Sequence, residues 1–275
     1  MNNIGILYHP LNDDALALAQ KLSGFLESKG IGCWLCSAWD GQQACEQLDG
    51  TELVLTIGGD GTILRAAQLA SPQSIPITGI NLGRLGFLTE LAAGEAMDKL
   101  PELLAGGGWT DERAMLEVEL DNRSGQDNDK LLVLNDAVIA RGEVARIIYV
   151  EAAIDDQPLT TYKADGVITA TATGSTGYAL AAGGPVLHPQ AEQILLVPIM
   201  PHLSLPYSLV LPEGTVVKLR VGNIHKAMLS IDGHISLPLE SNSSITIKRS
   251  RIKTRFLRIG DRGSFYSTLE QKLKG

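Results

Sequence analysis

Gly58-Gly59-Asp60-Gly61-Thr62 sets one carboxylate and one hydroxyl among three glycines. Leu53-Val54-Leu55-Thr56-Ile57 before it reads as a buried parallel strand, and Ile63 to Ala70 after it as a helix. A glycine turn at that junction lets backbone N–H groups approach a phosphate at the helix N-terminus, where the dipole favours an anion. A bare carboxylate repels phosphate unless a metal or a proton transfer requires it, so Asp60 asks for more than turn chemistry. The run lacks the Lys-Ser/Thr ending of a P-loop, and Leu64 stands where the third glycine of Gly-x-Gly-x-x-Gly would be. Neither nucleotide hydrolysis nor hydride transfer follows from it. A βα turn with no ligand is the plain alternative.

Four further clusters carry polar chemistry. Tyr162 to Tyr178 places Lys163, Asp165, Thr169, Thr171, Thr173, Ser175 and Thr176 around a strand end, a turn and a helix start. Such a run supplies short donors and close backbone approach without bulk, although a polar sheet edge also alternates threonines. Asn81-Leu82-Gly83-Arg84-Leu85-Gly86-Phe87 follows an apolar strand, and its bland reading is a glycine turn. Leu134-Asn135-Asp136-Ala137 puts an amide and a carboxylate inside an apolar strand, where they need partners or a job. Asp232-Gly233 ends another strand and could be a hairpin turn. Cys33-Trp34-Leu35-Cys36 has redox spacing but lies within a predicted strand, where residues three apart face opposite ways, so core packing is the expected role.

The elements that must position these residues fall into two kinds. Strands are expected at Ile4 to Tyr8, Ile31 to Cys36, Leu53 to Ile57 and Ile77 to Asn81. Helices are expected from Asp13 to Lys29, about Gln42 to Leu48, after Thr62 and about Glu95 to Leu104. That alternation predicts a parallel sheet with helices on its faces and ligands beyond the strands' carboxyl ends. Gly106-Gly107-Gly108 marks a boundary, and short strands then dominate to Ile259, among them Leu131 to Ala140, Ser244 to Lys248 and Thr254 to Ile259. The domain expectation is an α/β nucleotide-binding domain over 1–108 and a β-rich dinucleotide-binding domain over 109–259. A C-terminal helix over about 260–275 is expected to pack back on the first. Lys248, Arg249, Arg251, Lys253, Arg255 and Arg258 form the basic run, with a solvated face favoured over a phosphate surface.

Composition narrows the classes. The chain has 275 residues, 44% hydrophobic and 20% charged, and a net charge of −8. The charge disfavours nucleic acid or an anionic membrane as a bulk partner. No apolar stretch is long enough to span a bilayer. The N-terminus shows no signal-peptide pattern and the three cysteines are an odd number, so a cytoplasmic location is expected.

Taken in order, Gly58 to Thr62, Gly79 to Leu88, Asn135-Asp136, Asp165 to Tyr178 and Asp232-Gly233 resemble the NAD kinase family over nearly the whole chain. The first motif is shared with lipid kinases; the second and fourth are more specific. The resemblance implies phosphoryl transfer from ATP to the 2′-hydroxyl of the adenosine ribose of NAD, with Mg²⁺ or another divalent cation held mainly by phosphates. It makes Asp60 the catalytic residue that orients the hydroxyl and accepts its proton late, since an unperturbed Asp has a pKa of about 3.9. It makes Gly58, Gly59, Gly61 and Thr62 the phosphate seat. Asn81 and Phe87 would lie on the adenine side. Asn135 and Asp136 would hold the nicotinamide-side ribose or the adenine of a folded dinucleotide. Lys163, Asp165, Thr173, Thr176, Gly177 and Tyr178 would line the dinucleotide site, Asp165 at the nicotinamide amide. It further implies a site between two domains, and a homodimer or homotetramer whose sites a neighbouring subunit can complete.

The chain departs from the family pattern at four positions. Asp136 stands for the usual Glu, Ala172 for a Pro, Gly177 for an Ala and Ala181 for a Ser. These put the choice between NAD, NADH and a related nucleotide in question; donor type and feedback by NADP are likewise open. The rival readings are a lipid kinase with the same glycine loop and a non-catalytic NAD sensor. With three Trp, four Phe and no basic amphipathic helix, little supports the first. The presence of Asp60 argues against the second.

Overall fold

The computed structural model describes residues 1–83, 86–121, 130–143, 146–202, 206–222 and 225–273. Its contacts divide the chain into a unit of residues 1–112 with 252–275, and a unit of residues 113–251. The glycine-based boundaries drawn from the sequence were 108 and 259. The arginine and leucine of the Asn81–Leu88 motif, positions 84 and 85, lie outside the described residues.

In the first unit, β1 (Asn3–Tyr8), α1 (Asp13–Ser28), β2 (Gly32–Ser37), α2 (Gly41–Gln47), β3 (Leu53–Ile57), α3 (Asp60–Ala70), β4 (Ile77–Asn81), β5 (Leu91–Ala92) and α4 (Ala96–Leu104) follow in order. Asn12 caps α1 by accepting N–H bonds from Asp14 and Ala15, and the helix buries Ala15, Ala19, Leu22 and Leu26 as one stripe. Strands run parallel in the order β2-β1-β3-β4, with β5 outside β4. Every residue of β3 and β4 is buried, as expected of parallel strands covered on both faces. The strand order reverses between β1 and β3, so the crevice that favours a ligand opens beyond Tyr8 and Ile57. His9, Trp39, the Gly58 loop and the segment after Asn81 all lie at this carboxyl end.

The second unit holds most of β6 (Trp109–Leu120), then β7 (Lys130–Val133), β8 (Asp136–Arg141), β9 (Ile148–Ile154), β10 (Gln157–Ala164) and β11 (Gly166–Ala170). A 3-10 turn at Gly174–Thr176 and the short α5 (Tyr178–Ala181) come next. β12 (Ile194–Ile199), β13 (Leu209–Leu211), β14 (Val217–Val221), β15 (Ala227–Ile231), β16 (Ile235–Leu239) and the first half of the long β17 (Ser244–Arg258) complete it. α6 (Ser264–Leu273) follows in the first unit. One antiparallel sheet runs β13-β12-β11-β8-β15-β16. A second brings together β10, β9, β14 and the first half of β17. Alternate residues of β8, β11 and β12 (Ala137, Ile139, Val167, Ile194, Leu196) enter one core. Val138, Ile168, Ala170, Leu195 and Val197 enter another beside Ala179. Burial on both faces explains why these antiparallel strands read as unbroken apolar runs.

The strand list from sequence needs three corrections. The expected strand Leu131 to Ala140 is two, β7 and β8, broken at Leu134-Asn135. The expected strands at 244–248 and 254–259 are the single β17, because its charged middle is ion-paired. Lys248 meets Glu117 and Glu119, Arg249 meets Glu192 and Glu213, and Lys253 meets Glu112. Three strands went unread: the two-residue β5, β10 with Pro158 and β16 with Pro238. β10 and β16 are edge strands, and β10 shifts register between Pro158 and Thr160; such positions tolerate a residue that cannot donate to the ladder. Cys33 and Cys36 lie in β2 as free thiols whose pKa burial raises, which fits packing rather than redox chemistry.

Candidate active site

β3 ends at Ile57, and Gly58 then takes φ 155°, a conformation open to glycine. A Cβ there would overlap the Thr62 hydroxyl. Thr62 Oγ1 is itself buried with no hydrogen-bond partner among the described residues. Gly59 takes the N-cap position of α3 without a side-chain cap; the Thr62 N–H turns back to the Gly59 carbonyl at 3.0 Å, and no side chain caps the Asp60 and Gly61 N–H groups. Gly59 and Gly61 are exposed, and a Cβ on either would meet nothing within 4 Å. Folding alone therefore does not explain these two glycines.

Asp60 opens α3 and is half-buried. Its Oδ2 accepts the Phe87 N–H at 2.9 Å and its Oδ1 the Leu88 N–H at 3.1 Å. The segment after β4 thus orients the carboxylate. Gly86 lies so near that a Cβ on it would overlap Asp60 Oδ1. Asn81 closes its own turn, accepting the Gly83 N–H at 3.1 Å and donating to the Gly83 carbonyl at 3.0 Å. Phe87 is half-buried, and Lys272 from α6 places its ammonium 4.3 Å from the ring centroid. The residue that anchors this segment is Arg258. Its guanidinium donates to the Leu88 carbonyl at 2.9 Å and pairs with Glu90 and Asp111, each at 3.2 Å. Sequence reasoning gave Arg258 no individual role. Its signal was its place in an apolar strand end beside Phe256 and Leu257.

In the second unit, Asp232 organises the break between β7 and β8. With φ 48°, it accepts N–H bonds from Leu134 at 3.0 Å, Asn135 at 2.7 Å and Asp136 at 3.2 Å. The reading of Asp232-Gly233 as a turn missed this anchoring role. Thr171 continues the frame. Its N–H donates to the Asn135 carbonyl at 2.9 Å, its hydroxyl donates to the Leu134 carbonyl, and it accepts the Gly174 N–H at 3.0 Å. Gly174 is pressed so closely on the Asn135 backbone that a Cβ would overlap the carbonyl oxygen. Ser175 bridges the Ala172 carbonyl at 2.6 Å and the Leu187 N–H at 3.0 Å, and the Thr176 hydroxyl donates to the Thr173 carbonyl at 3.3 Å.

This frame presents Asn135, Asp136, Thr173, Thr176, Gly177 and Tyr178 together. Asn135 Oδ1 is buried and unpartnered among the described residues, an orphan acceptor awaiting a donor. A Cβ on Gly177 would lie 3.7 Å from Asn135 Nδ2 and 3.9 Å from Asp136 Oδ2. The nearest atom to that Cβ would be the Gly174 carbonyl oxygen at 3.3 Å, so the family's alanine would press on the turn, and Gly177 relieves that contact beside the pair.

Burial first, and then the charge of Asp232, push the Asp136 carboxyl up to about 7. The folded protein therefore holds a proton that the unfolded chain releases from about pH 4 upward. Stability falls as pH rises through that window, and the loss is complete above pH 7. Asp136→Asn removes the titration. The melting temperature of the variant minus that of the wild type is expected to grow by several degrees between pH 5 and pH 8. A pH-independent difference would contradict this.

Lys163 and Asp165 lie elsewhere. Asp165 precedes Gly166 at one end of β11, whereas Asp136 pairs with Ala170 at the other. At about 3.4 Å per residue, the separation is roughly 17 Å. Asp165 pairs with Arg141 at 3.3 Å, and the Lys163 ammonium sits 5.9 Å from the Tyr149 ring centroid. The sequence grouped these two residues with Asn135 and Asp136; the fold sets them at the opposite end of the strand.

Known proteins match this chain in sequence and in fold. The ATP-NAD kinase N-terminal domain family matches residues 38–108, and the ATP-NAD kinase C-terminal domain family matches residues 134–259. The NAD kinase of Dehalococcoides mccartyi is 50% identical over 272 residues, covering 99% of this chain and 96% of that protein. The NAD kinase of Chloroflexus aggregans is 38% identical over 274 residues, covering 100% and 99%. Among solved structures, yeast NADH kinase complexed with NADH aligns with a TM-score of 0.87 at 22% identity, covering 100% of this chain and 88% of that one. An Archaeoglobus fulgidus NAD kinase in complex with ATP aligns with a TM-score of 0.79 at 24% identity, covering 99% and 98%. At those identities the two structures show a common fold. With two domain families matched in order and full-length relatives at up to 50% identity among those described, the chain belongs to the NAD kinase family.

Proposed function

We propose that this protein transfers the γ-phosphoryl group of ATP to the 2′-hydroxyl of the adenosine ribose of NAD, giving NADP. One observation carries the reading most directly. Asp60 is held by two backbone N–H groups at the start of α3, between two exposed glycines whose missing side chains leave open space. Phosphoryl transfer needs positioning and charge neutralisation rather than protein-based covalent chemistry. Gly58, Gly59, Gly61 and Thr62 seat the triphosphate: Gly59 and Gly61 offer their N–H groups, Thr62 its hydroxyl, and Gly58 the turn, since the Gly58 and Thr62 N–H groups are already given to the Ile80 and Gly59 carbonyls. Asp60 orients the acceptor hydroxyl and takes its proton as the bond to phosphorus forms. Among the described residues no three potential ligands gather to hold a cation. A lone carboxylate beside a phosphate seat suits Mg²⁺ that keeps phosphate and water ligands. Held so, Mg²⁺ would supply the positive charge that offsets the charge on the transferring group.

The dinucleotide is assigned to the remaining residues. Asn135 and Asp136 accept ribose hydroxyls, which would satisfy the orphan Asn135 oxygen. Thr173, Thr176, Gly177 and Tyr178 line that pocket, and Asn81 and Phe87 serve the adenine. Lys163 and Asp165 are assigned to the dinucleotide of a neighbouring subunit. Their place one strand-length from Asp136 supports a homodimer or homotetramer as the working form, and the cytoplasm is the location we propose for it; a monomer by sedimentation would remove that assignment.

Gly61→Ala tests the phosphate seat. Alanine favours a helix over glycine by up to about 1 kcal/mol, so the melting temperature should hold or rise. The methyl would enter the space proposed for phosphate, and KM for ATP should rise about tenfold or more. Unchanged ATP kinetics would count against the seat.

A further inference from the structure

Three side chains outside the site above converge at the same crevice. His9 follows β1, Trp39 lies two residues beyond β2, and Arg65 stands four residues after Gly61 on α3, hence on the same helix face. The His9 N–H donates to the Ile57 carbonyl at 3.0 Å, and the His9 Cβ would be 3.2 Å from a Cβ on Gly58. His9 Nδ1 accepts the Leu11 N–H at 3.2 Å, which fixes the ring. The rings of His9 and Trp39 meet edge to face, with centroids 4.5 Å apart. The Arg65 guanidinium stacks 4.2 Å from the Trp39 ring centroid.

Two features of this trio are not explained by folding. Trp39 keeps 41% of its surface exposed, whereas Trp34 of β2 is buried and donates its indole N–H to Thr51 at 2.9 Å. Arg65 meets no carboxylate among the described residues, unlike Arg141, Arg220, Arg249, Arg255 and Arg258. An exposed indole steadied by an uncompensated cation, one side chain away from a phosphate seat, is the chemistry that receives a nucleobase on its π-face and its phosphates at the cation.

We propose that Trp39, held by Arg65 and His9, is the platform on which the base of the phosphoryl donor stacks. This rests on the reading of Gly58–Thr62 as the donor's phosphate seat. It adds that Trp39 makes this chain select a nucleoside triphosphate over an inorganic polyphosphate, which has phosphates but no base. His9 and Arg65 are positioning residues for the indole, and Arg65 also lies within reach of the donor's phosphates.

The test compares ATP with inorganic tripolyphosphate on the full-length protein. Isothermal titration without NAD should show Trp39→Ala weakening ATP binding about 10- to 100-fold while tripolyphosphate binding stays within about twofold. In steady state, KM for ATP should rise by a similar factor and KM for NAD should not. Trp39→Phe, which keeps a π-face, should recover most of the loss. The proposal is overturned if ATP and tripolyphosphate weaken together, if ATP affinity is unchanged, or if the NAD constant is the one that rises. Failure of the kinase reading would look different. The wild type would then form no NADP, and the ATP-against-tripolyphosphate titration would still decide the platform.

Discussion

Asp60→Asn should lower kcat for NADP formation by about 10²- to 10⁴-fold, the range for a positioned acid–base group, while KM for NAD and ATP changes little. The substitution keeps shape and volume and removes the charge and the proton acceptor. Its structural cost is bounded by the two N–H bonds from Phe87 and Leu88. An amide offers one oxygen to these two donors, so one bond is lost, at order 1 kcal/mol in a half-buried place. The core of the first unit is untouched, and a melting curve should show a shift of only a few degrees. Coupling NADP formation to an NADP-specific dehydrogenase gives the rate, and a melt of the same preparation separates chemistry from unfolding. A variant within tenfold of wild type would remove Asp60 from the reaction.

Gly86→Ala should cost about 10²-fold in kcat by a different route. The added methyl overlaps Asp60 Oδ1 and lies 2.7 Å from Asp60 Cγ. Either the carboxylate rotates away or the segment that donates to it shifts. A displacement near 1 Å at a reacting group is enough for a loss of this size. The effect should be conditional on Asp60. In the Asp60→Asn background, Gly86→Ala should change the residual rate by less than about threefold, because the group it displaces no longer acts. Additive losses would mean that Gly86 serves the fold or another ligand instead.

Much of this protein is legible in its sequence. The glycine loop, the alternation of strands and helices, and the switch to short strands after Gly108 reflect local periodicity and turn chemistry, which sequence displays directly. Asn135 and Asp136 announced themselves as polar residues in an apolar strand, and the fold shows why they can be there: Asp232 satisfies their backbone and breaks the strand. What the sequence hid was long-range. That Arg258 holds the segment orienting Asp60 depends on a contact 170 residues apart. That Asp165 stands a strand-length from Asp136 depends on which end of β11 each occupies, which a linear motif conceals. The stack of Trp39 on Arg65 and His9 joins three elements that only the parallel order β2-β1-β3 brings side by side. The edge strands carrying Pro158 and Pro238 were missed because proline argues against a strand until its position at the edge is known.

The central claim is that this chain makes NADP from NAD and ATP at Asp60. Purified full-length protein, NAD, ATP and Mg²⁺ should yield a product that an NADP-specific dehydrogenase reduces, with label from the γ-position of ATP on the 2′-oxygen of the adenosine ribose. No NADP from a folded preparation, together with phosphorylation of diacylglycerol or a sphingoid base, would contradict the account.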